Sequence, residues 1–314
     1  MKPSIIFAII FTLGAGAILA VVLLLQGHTF AVLEPAGLIA AQERSLLITA
    51  TLLTLIVVIP ILALTFFFAW WYRAGNKGAR YTPNEEHGAM AELVWWAIPF
   101  EIVLVLGALT WTSTHELDPY KKLAVLGHPL TVQVVALQWK WLFIYPEQHI
   151  ATVNFLALPI DRPVEFHITS DAPMNSFWIP QLGGQIYAMA GMSTKLHLVA
   201  SKAGTYAGGS ANYSGDGFAQ MKFKVIATSE DAFDAWVRGV QTSSGTLTLH
   251  EYSSLADPST ADPPSFYGTV EDNLYTTILM KFMQPSRGMP MHGIPREADP
   301  RPNVLQYGQA PREE

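Results

Sequence analysis

The sequence predicts a membrane α plus all-β protein: two transmembrane helices, preceded by a signal segment or third helix, then a β-sandwich or barrel and C-terminal helices. Three observations predict it. Residues 46–71 and 93–111 are apolar runs long enough to span a bilayer, which takes roughly 20 residues. From about residue 120 short runs alternate apolar and polar, the period of a strand with one buried face. Beyond residue 227 two stretches, 232–240 and 274–283, return to a helical pattern.

The first apolar run, residues 5–25, follows Lys2 and precedes the small-residue site Thr29-Phe30-Ala31. It reads either as a cleaved secretory signal or as an uncleaved helix, so residues 1–31 form one unit. Residues 32–119 form a two-helix anchor. Trp70, Trp71 and Tyr72 close its first span, and Trp95, Trp96 and Trp111 bracket its second. Such aromatic residues favour the headgroup layer, being apolar at one end and polar at the other. The loop 73–91 carries Arg73, Lys77 and Arg80, whereas only Arg44 lies just before the first span. The positive-inside rule therefore places this loop in the cytoplasm and everything after Trp111 outside.

Residues 120–227 should form the outer β domain. Thr131-Val132-Gln133-Val134, Val164-Glu165-Phe166-His167-Ile168, Lys195-Leu196-His197-Leu198 and Met221-Lys222-Phe223-Lys224-Val225 alternate strictly. Clusters such as Pro159-Ile160-Asp161-Arg162-Pro163 and Gly208-Gly209 separate them. Residues 228–283 form a helical segment with a Ser/Thr/Pro-rich stretch at 242–265, and the Pro, Arg and Glu of the tail 284–314 read as disorder.

Composition narrows the function. Half of the 314 residues are hydrophobic, 14% are charged and the net charge is −6, which argues against a nucleic-acid partner. There is no cysteine, so disulfides, thiolate ligands, thiol nucleophiles and acylated cysteines are all excluded.

Several stretches resemble subunit II of the haem–copper terminal oxidases, from about residue 33 to 283. Gln138-Trp139-Lys140-Trp141-Leu142-Phe143-Ile144-Tyr145 is similar to that subunit's aromatic strand. Asn175-Ser176-Phe177-Trp178-Ile179-Pro180 resembles the loop that opens with a copper-ligating histidine, and residues 208–221 resemble the loop with the remaining ligands. The resemblance implies a cupredoxin-like outer domain. Where the copper-bearing branch has Cys-x-x-x-Cys-x-x-x-His-x-x-Met, this chain has Ser210, Ser214, Phe218 and Met221, with Asn175 for the upstream histidine and Asn212 for the glutamate. Soft thiolates and imidazoles suit copper, and a thioether alone cannot replace them, so no metal is expected in this chain. The combination resembles the quinol oxidase branch, closest to cytochrome bo ubiquinol oxidase, on residues 139–154 and Gln185-Ile186-Tyr187-Ala188-Met189-Ala190-Gly191-Met192. Members often carry an N-terminal lipobox cysteine; Leu24-Leu25-Gln26-Gly27 has none.

That resemblance implies a non-redox subunit II of a proton-pumping complex in the bacterial inner membrane. The complex oxidises ubiquinol and reduces oxygen to water. Haems and catalytic copper are expected in subunit I, and the partners are subunits I, III and IV, ubiquinol and the bilayer. The alternatives are a copper-bearing cytochrome c oxidase subunit II, which the missing cysteines oppose, and a membrane-tethered cupredoxin-like binding module.

Glu92, in the first turn of the second span, matches the family glutamate at the mouth of a proton-uptake channel of subunit I. By itself it reads as a carboxylate favoured by the helix macrodipole. Glu101 lies inside the span, where an ionisable side chain costs roughly 2.5–3.5 kcal/mol. It is half a turn out of phase with Glu92 and roughly 13 Å deeper. The residues suggest a protonated acid buried at an interface, and the resemblance supplies no role for it. His167 and His197 fall on the polar phase of their strands and are expected at the surface. Trp139 and Trp141 are read as packing residues or contacts with subunit I, and Met289, Met291 and His292 as part of a flexible tail.

Overall fold

The computed structural model describes residues 30–79, 88–123 and 127–283, with positions 16 and 20. The first apolar run, Arg80 and the tail from 284 lie outside these residues. Two long helices, α1 (Leu38–Trp71) and α2 (Ala89–Glu116), have mean hydropathies of 2.8 and 2.0 over their most apolar windows, with none of either window buried. Pro60 and Pro99 lie inside them without ending them. At the C-terminal end of α1 the Arg73 guanidinium sits 5.0 Å over the Trp70 ring and donates to its carbonyl at 2.7 Å.

Helix α1 begins at Leu38, ahead of the apolar run at 46, because Gln42, Glu43, Arg44 and Ser45 interrupt hydrophobicity without interrupting the helix. At 1.5 Å per residue its 34 residues reach about 51 Å, beyond a hydrocarbon layer of about 30 Å. The excess docks into the β domain, where Ala36, Ile39 and Ala40 are buried. Ala36 N and Gly37 N donate to Gln181 O at 2.8 and 3.0 Å, Leu38 N to Val199 O at 3.3 Å, and Ser201 N to Ala36 O at 2.7 Å. The β domain thus grips the first membrane helix by backbone bonds.

The β domain is a two-sheet sandwich. Its strands are β1 (Leu130–Ala136), β2 (Trp141–Tyr145), β3 (Ile150–Val153), β4 (Phe155–Pro159), β5 (Val164–Ser170), β6 (Asn175–Trp178), β7 (Ile186–Ala188), β8 (Thr194–Leu198), β9 (Gly204–Ser210) and β10 (Lys222–Thr228). Further on come α3 (Glu230–Gln241), β11 (Thr246–Leu247), α4 (Leu249–Leu255), β12 (Ser265–Tyr267), β13 (Thr269–Val270) and α5 (Leu274–Met280). One sheet runs β12-β3-β2-β1-β5-β8, the other β4-β10-β9-β6-β7, and β11 pairs with β13. β1 pairs with β5, and β4 with β10, in parallel; the other pairs of the two main sheets are antiparallel.

Aromatic rings fill the space between the sheets. Phe177 stacks on Phe223 at 5.3 Å, and Trp141 and Phe166 meet Phe177 at 5.4 and 5.3 Å. Trp141 is therefore a core packing residue. The six-stranded sheet has a second buried face, which explains why all five residues of β2 are buried instead of alternating. Val135, Leu142, Ile144 and Val153 there pack against Leu247, Tyr252, Leu274 and Ile278 of the C-terminal segment. Polar bonds secure this cover. The Tyr252 hydroxyl donates to Asp171 at 2.6 Å, Lys281 Nζ donates to the same carboxylate at 2.8 Å, and buried Lys140 pairs with Asp262 at 3.4 Å. Burial, and then the adjacent Asp171, raise the Tyr252 phenol above its ordinary range. Helix α4 falls in the Ser/Thr/Pro-rich stretch. Its signal was the Thr248-Leu249-His250-Glu251 capping box, whose Thr248 hydroxyl accepts from Glu251 N at 3.2 Å.

One surface expectation fails. His197 is buried, 6% exposed, and His167 is half-buried. The polar phase of β5 and β8 faces the segment after α2, whose Pro119 carbonyl lies 2.9 Å from His197 Nδ1. Strand alternation separates two faces, but it does not tell which face another segment covers.

Candidate functional site

The loops that resembled copper-ligating loops meet where β6 lies beside β9, with Phe177 opposite Ser210. Asn175 opens β6 and is buried, 1% exposed. Its Nδ2 donates to Pro173 O at 2.7 Å, and its Oδ1 accepts from the Ser210 hydroxyl at 2.9 Å. Asn212 Nδ2 donates to Met174 O at 3.0 Å, and Asn212 O lies 3.2 Å from the Ser210 hydroxyl. Backbone bonds close the loops: Ala211 N to Ser176 O at 3.0 Å and Ser210 N to Met221 O at 3.2 Å. Met221 is buried in the aromatic core.

The rest of the loop is organised by Trp139. Its Nε1 donates to Ser214 O at 3.1 Å, and its ring lies over Gly215 and Gly217. Gly215 has φ +111°, and a Cβ on Gly217 would fall 2.3 Å from the indole, so both positions require glycine. Phe218 packs edge-on against Tyr213 at 5.6 Å. Asn175, Ser210 and Asn212 are thus brought together with the backbone of Met221, whereas Ser214 and Phe218 belong to the surround of Trp139 and Tyr213. The Trp139 lid was missed as a loop organiser; the glycines at 215 and 217 were the available signal.

This donor set does not fit a dinuclear copper centre. Amide and hydroxyl oxygens and one thioether stand where bridging thiolates and imidazoles would be needed, and the Asn175, Ser210 and Asn212 side chains already have hydrogen-bond partners. Among the described residues no group of three or more His, Cys, Asp or Glu side chains is arranged to hold a metal ion.

The two membrane acids lie far along the chain from these loops. Glu92 sits in the first turn of α2 and its backbone N–H donates to Gly88 O at 2.8 Å. Glu101 lies on the outside of the same helix, exposed on this chain.

A second polar cluster, on β5 and β8, escaped the sequence reading, although Glu165-Phe166-His167 and Lys195-Leu196-His197 place all four groups on one strand phase. Glu165 Oε1 lies 3.0 Å from both Lys195 Nζ and His167 Nε2. Burial opposes ionisation of Glu165, but the Lys195 bond and the neighbouring charges outweigh it and hold its carboxyl below the ordinary range. Burial depresses His167, with Glu165 opposing.

The chain is 52% identical over 264 residues to a Pseudomonas aeruginosa protein named cytochrome bo(3) ubiquinol oxidase subunit 2, covering 84% of this chain and 80% of that one. It is 50% identical to the ubiquinol oxidase subunit 2 of Acetobacter aceti, over 83% of this chain and 85% of the relative. The chain belongs to the ubiquinol oxidase subunit 2 family. The COX Aromatic Rich Motif family matches residues 241–286, and the described part of that range, 241–283, forms the C-terminal cover with Tyr252, Tyr267 and Tyr275. The solved periplasmic domain of subunit II of cytochrome oxidase from Bradyrhizobium japonicum aligns with 37% of this chain and 95% of that chain, at 21% identity and a TM-score of 0.35. Membership in this family makes the chain a membrane-anchored subunit of an oxidoreductase complex.

Proposed function

We propose that this chain is the non-redox subunit II of a proton-pumping cytochrome bo-type ubiquinol oxidase in the bacterial inner membrane. Helices α1 and α2 anchor it, the loop 73–91 faces the cytoplasm, and the sandwich lies in the periplasm. It assembles with subunits I, III and IV, and the haems and catalytic copper reside in subunit I. Ubiquinol dissolves in the bilayer and can deliver electrons to a cofactor held within the membrane. A soluble one-electron donor would instead need an acceptor outside it. The observation that carries this reading is the closed Asn175–Ser210–Asn212 network, which holds the loops of an electron-entry site by hydrogen bonds alone.

Within this role Glu92 serves the entry of a proton channel of subunit I. Its carboxylate stands at the inner end of α2, where it can attract protons from the cytoplasm and pass them to a neighbour. Glu101 packs against a partner helix, because it lies on the exposed surface of an apolar spanning helix, where an ionisable side chain favours protein neighbours over lipid.

The test is the purified complex, supplied in parallel with ubiquinol and with reduced cytochrome c, with its copper counted. Oxygen consumption with ubiquinol alone, and no copper assignable to this subunit, is the expected result. Cytochrome c turnover with a mixed-valence copper spectrum from the outer domain would refute the reading.

A further inference from the structure

The junction between membrane and sandwich holds a buried imidazole that the proposed role does not use. His197 Nδ1 lies 2.9 Å from the Pro119 carbonyl, three positions after the end of α2. A carbonyl only accepts, so Nδ1 carries the hydrogen and Nε2 of the neutral ring is left as an acceptor. Nε2 is buried with no hydrogen-bond partner, and Glu165 Oε2 lies 3.7 Å away; the two side chains are 5% and 13% exposed. With His197 neutral, a lone pair confronts a carboxylate and neither can donate. A proton on Nε2 turns the same contact into a charge-assisted pair.

The surrounding charges leave that contact to His197. Glu165 Oε1 is taken by Lys195 and His167, each at 3.0 Å. Across β1 the residues in register are Thr131 and Gln133, which carry no charge. On the linker, Asp118 accepts from Tyr120 N at 2.9 Å and Lys121 Nζ lies 3.4 Å from the His115 carbonyl. At the other membrane helix the attachment combines backbone bonds with side-chain bonds that do not involve His197: the Glu43 carboxylate accepts from the Gly184 backbone, and Lys202 Nζ donates to the Pro35 carbonyl at 3.2 Å.

We propose that His197 is a proton-operated clamp between the outer domain and the second membrane helix. Taking up a proton on Nε2, it closes on Glu165 and holds the Pro119 carbonyl through Nδ1; losing the proton, it loosens this attachment, while the contacts of α1 with the sandwich are made by other groups. The proposed outward placement of the domain enters only in naming the aqueous phase that supplies the proton. The pH outside thereby sets how rigidly α2 is coupled to the sandwich.

The absence of cysteine makes a spin label at Lys122→Cys unique in this chain. The label is read by electron paramagnetic resonance in the intact oxidase in nanodiscs, with the signal of the unsubstituted complex subtracted. Both faces then meet one buffer, so the outcome does not depend on sidedness, which reporter fusions test separately. The mobile fraction should roughly double between about pH 5 and pH 8, the range in which imidazoles titrate. His197→Asn keeps an amide donor near the Nδ1 position and should give a signal independent of pH. Glu165→Gln, which removes the charge stabilising the imidazolium, should move the transition to lower pH. Haem spectra confirm assembly of each variant. A flat response in the parent, an intact transition in His197→Asn or an unmoved one in Glu165→Gln would each overturn the clamp.

Discussion

Gly37→Ala isolates the coupling between membrane helix and sandwich. Gly37 has φ −121°, which any residue adopts, so the substitution carries no backbone penalty and its effect is steric. The new Cβ would lie 2.6 Å from Leu182 O and 2.8 Å from both Leu182 Cα and Val199 O. These are backbone atoms of the sandwich and cannot swing aside, so α1 must back away. Overpacking of this kind costs about 1–3 kcal/mol. Each backbone bond lost from the set joining residues 36–38 to Gln181, Val199 and Ser201 adds about 1 kcal/mol. Amide protection at 36–40 and 199–201 should therefore fall by roughly 10- to 100-fold in the purified complex, read by hydrogen exchange. Gly239→Ala is the control: its Cβ meets nothing within 4 Å, and in the interior of α3 it should stabilise by about 0.5–1 kcal/mol. Unchanged protection at both segments in assembled Gly37→Ala would show that the junction is not held by these contacts.

Other outcomes follow from the same structure. Glu92→Gln should slow quinol oxidase turnover with normal assembly, and Glu101→Gln should affect assembly more than turnover; unchanged turnover of Glu92→Gln across pH would return Glu92 to a helix-end role. A reporter fused at Asn76 should be cytoplasmic and one at Gly245 periplasmic, and finding both on one side would refute the two-span anchor. Phe177→Ala, fully buried among Trp141, Phe143, Phe166 and Phe223, should cost about 3–5 kcal/mol in denaturant unfolding followed by tryptophan fluorescence. Glu165, with its folded pKa below the unfolded value, contributes stability that is present above the unfolded carboxylate pKa and lost as pH falls through the folded one. Lys195→Met should flatten that acid limb in a pH series of thermal melts.

Local signals were legible where they do not depend on what lies across from them. The spans read through because a bilayer demands an uninterrupted apolar surface whatever the tertiary structure. Strands β1, β5, β8 and β10 read through their alternation. Strand β2 did not alternate, because the C-terminal segment covers its second face, and His197 was placed at the surface because the linker after α2 covers it. The substitutions Asn175, Ser210, Ser214 and Phe218 were visible as letters; that Ser210 bonds Asn175 while Trp139 covers the rest of the loop was not.

By itself, the sequence determined the chemistry this chain lacks and the solvent each part must face. A cysteine-free loop cannot present thiolates however it folds, and an apolar run of spanning length seeks lipid in any context. Only the tertiary structure decided which polar groups share one low-dielectric space. Glu165 and His197 are 32 positions apart in sequence and become partners because β5 and β8 pair antiparallel in register. Pairing and burial depend on contacts between distant segments, and those contacts set both the neighbours of a charge and its cost.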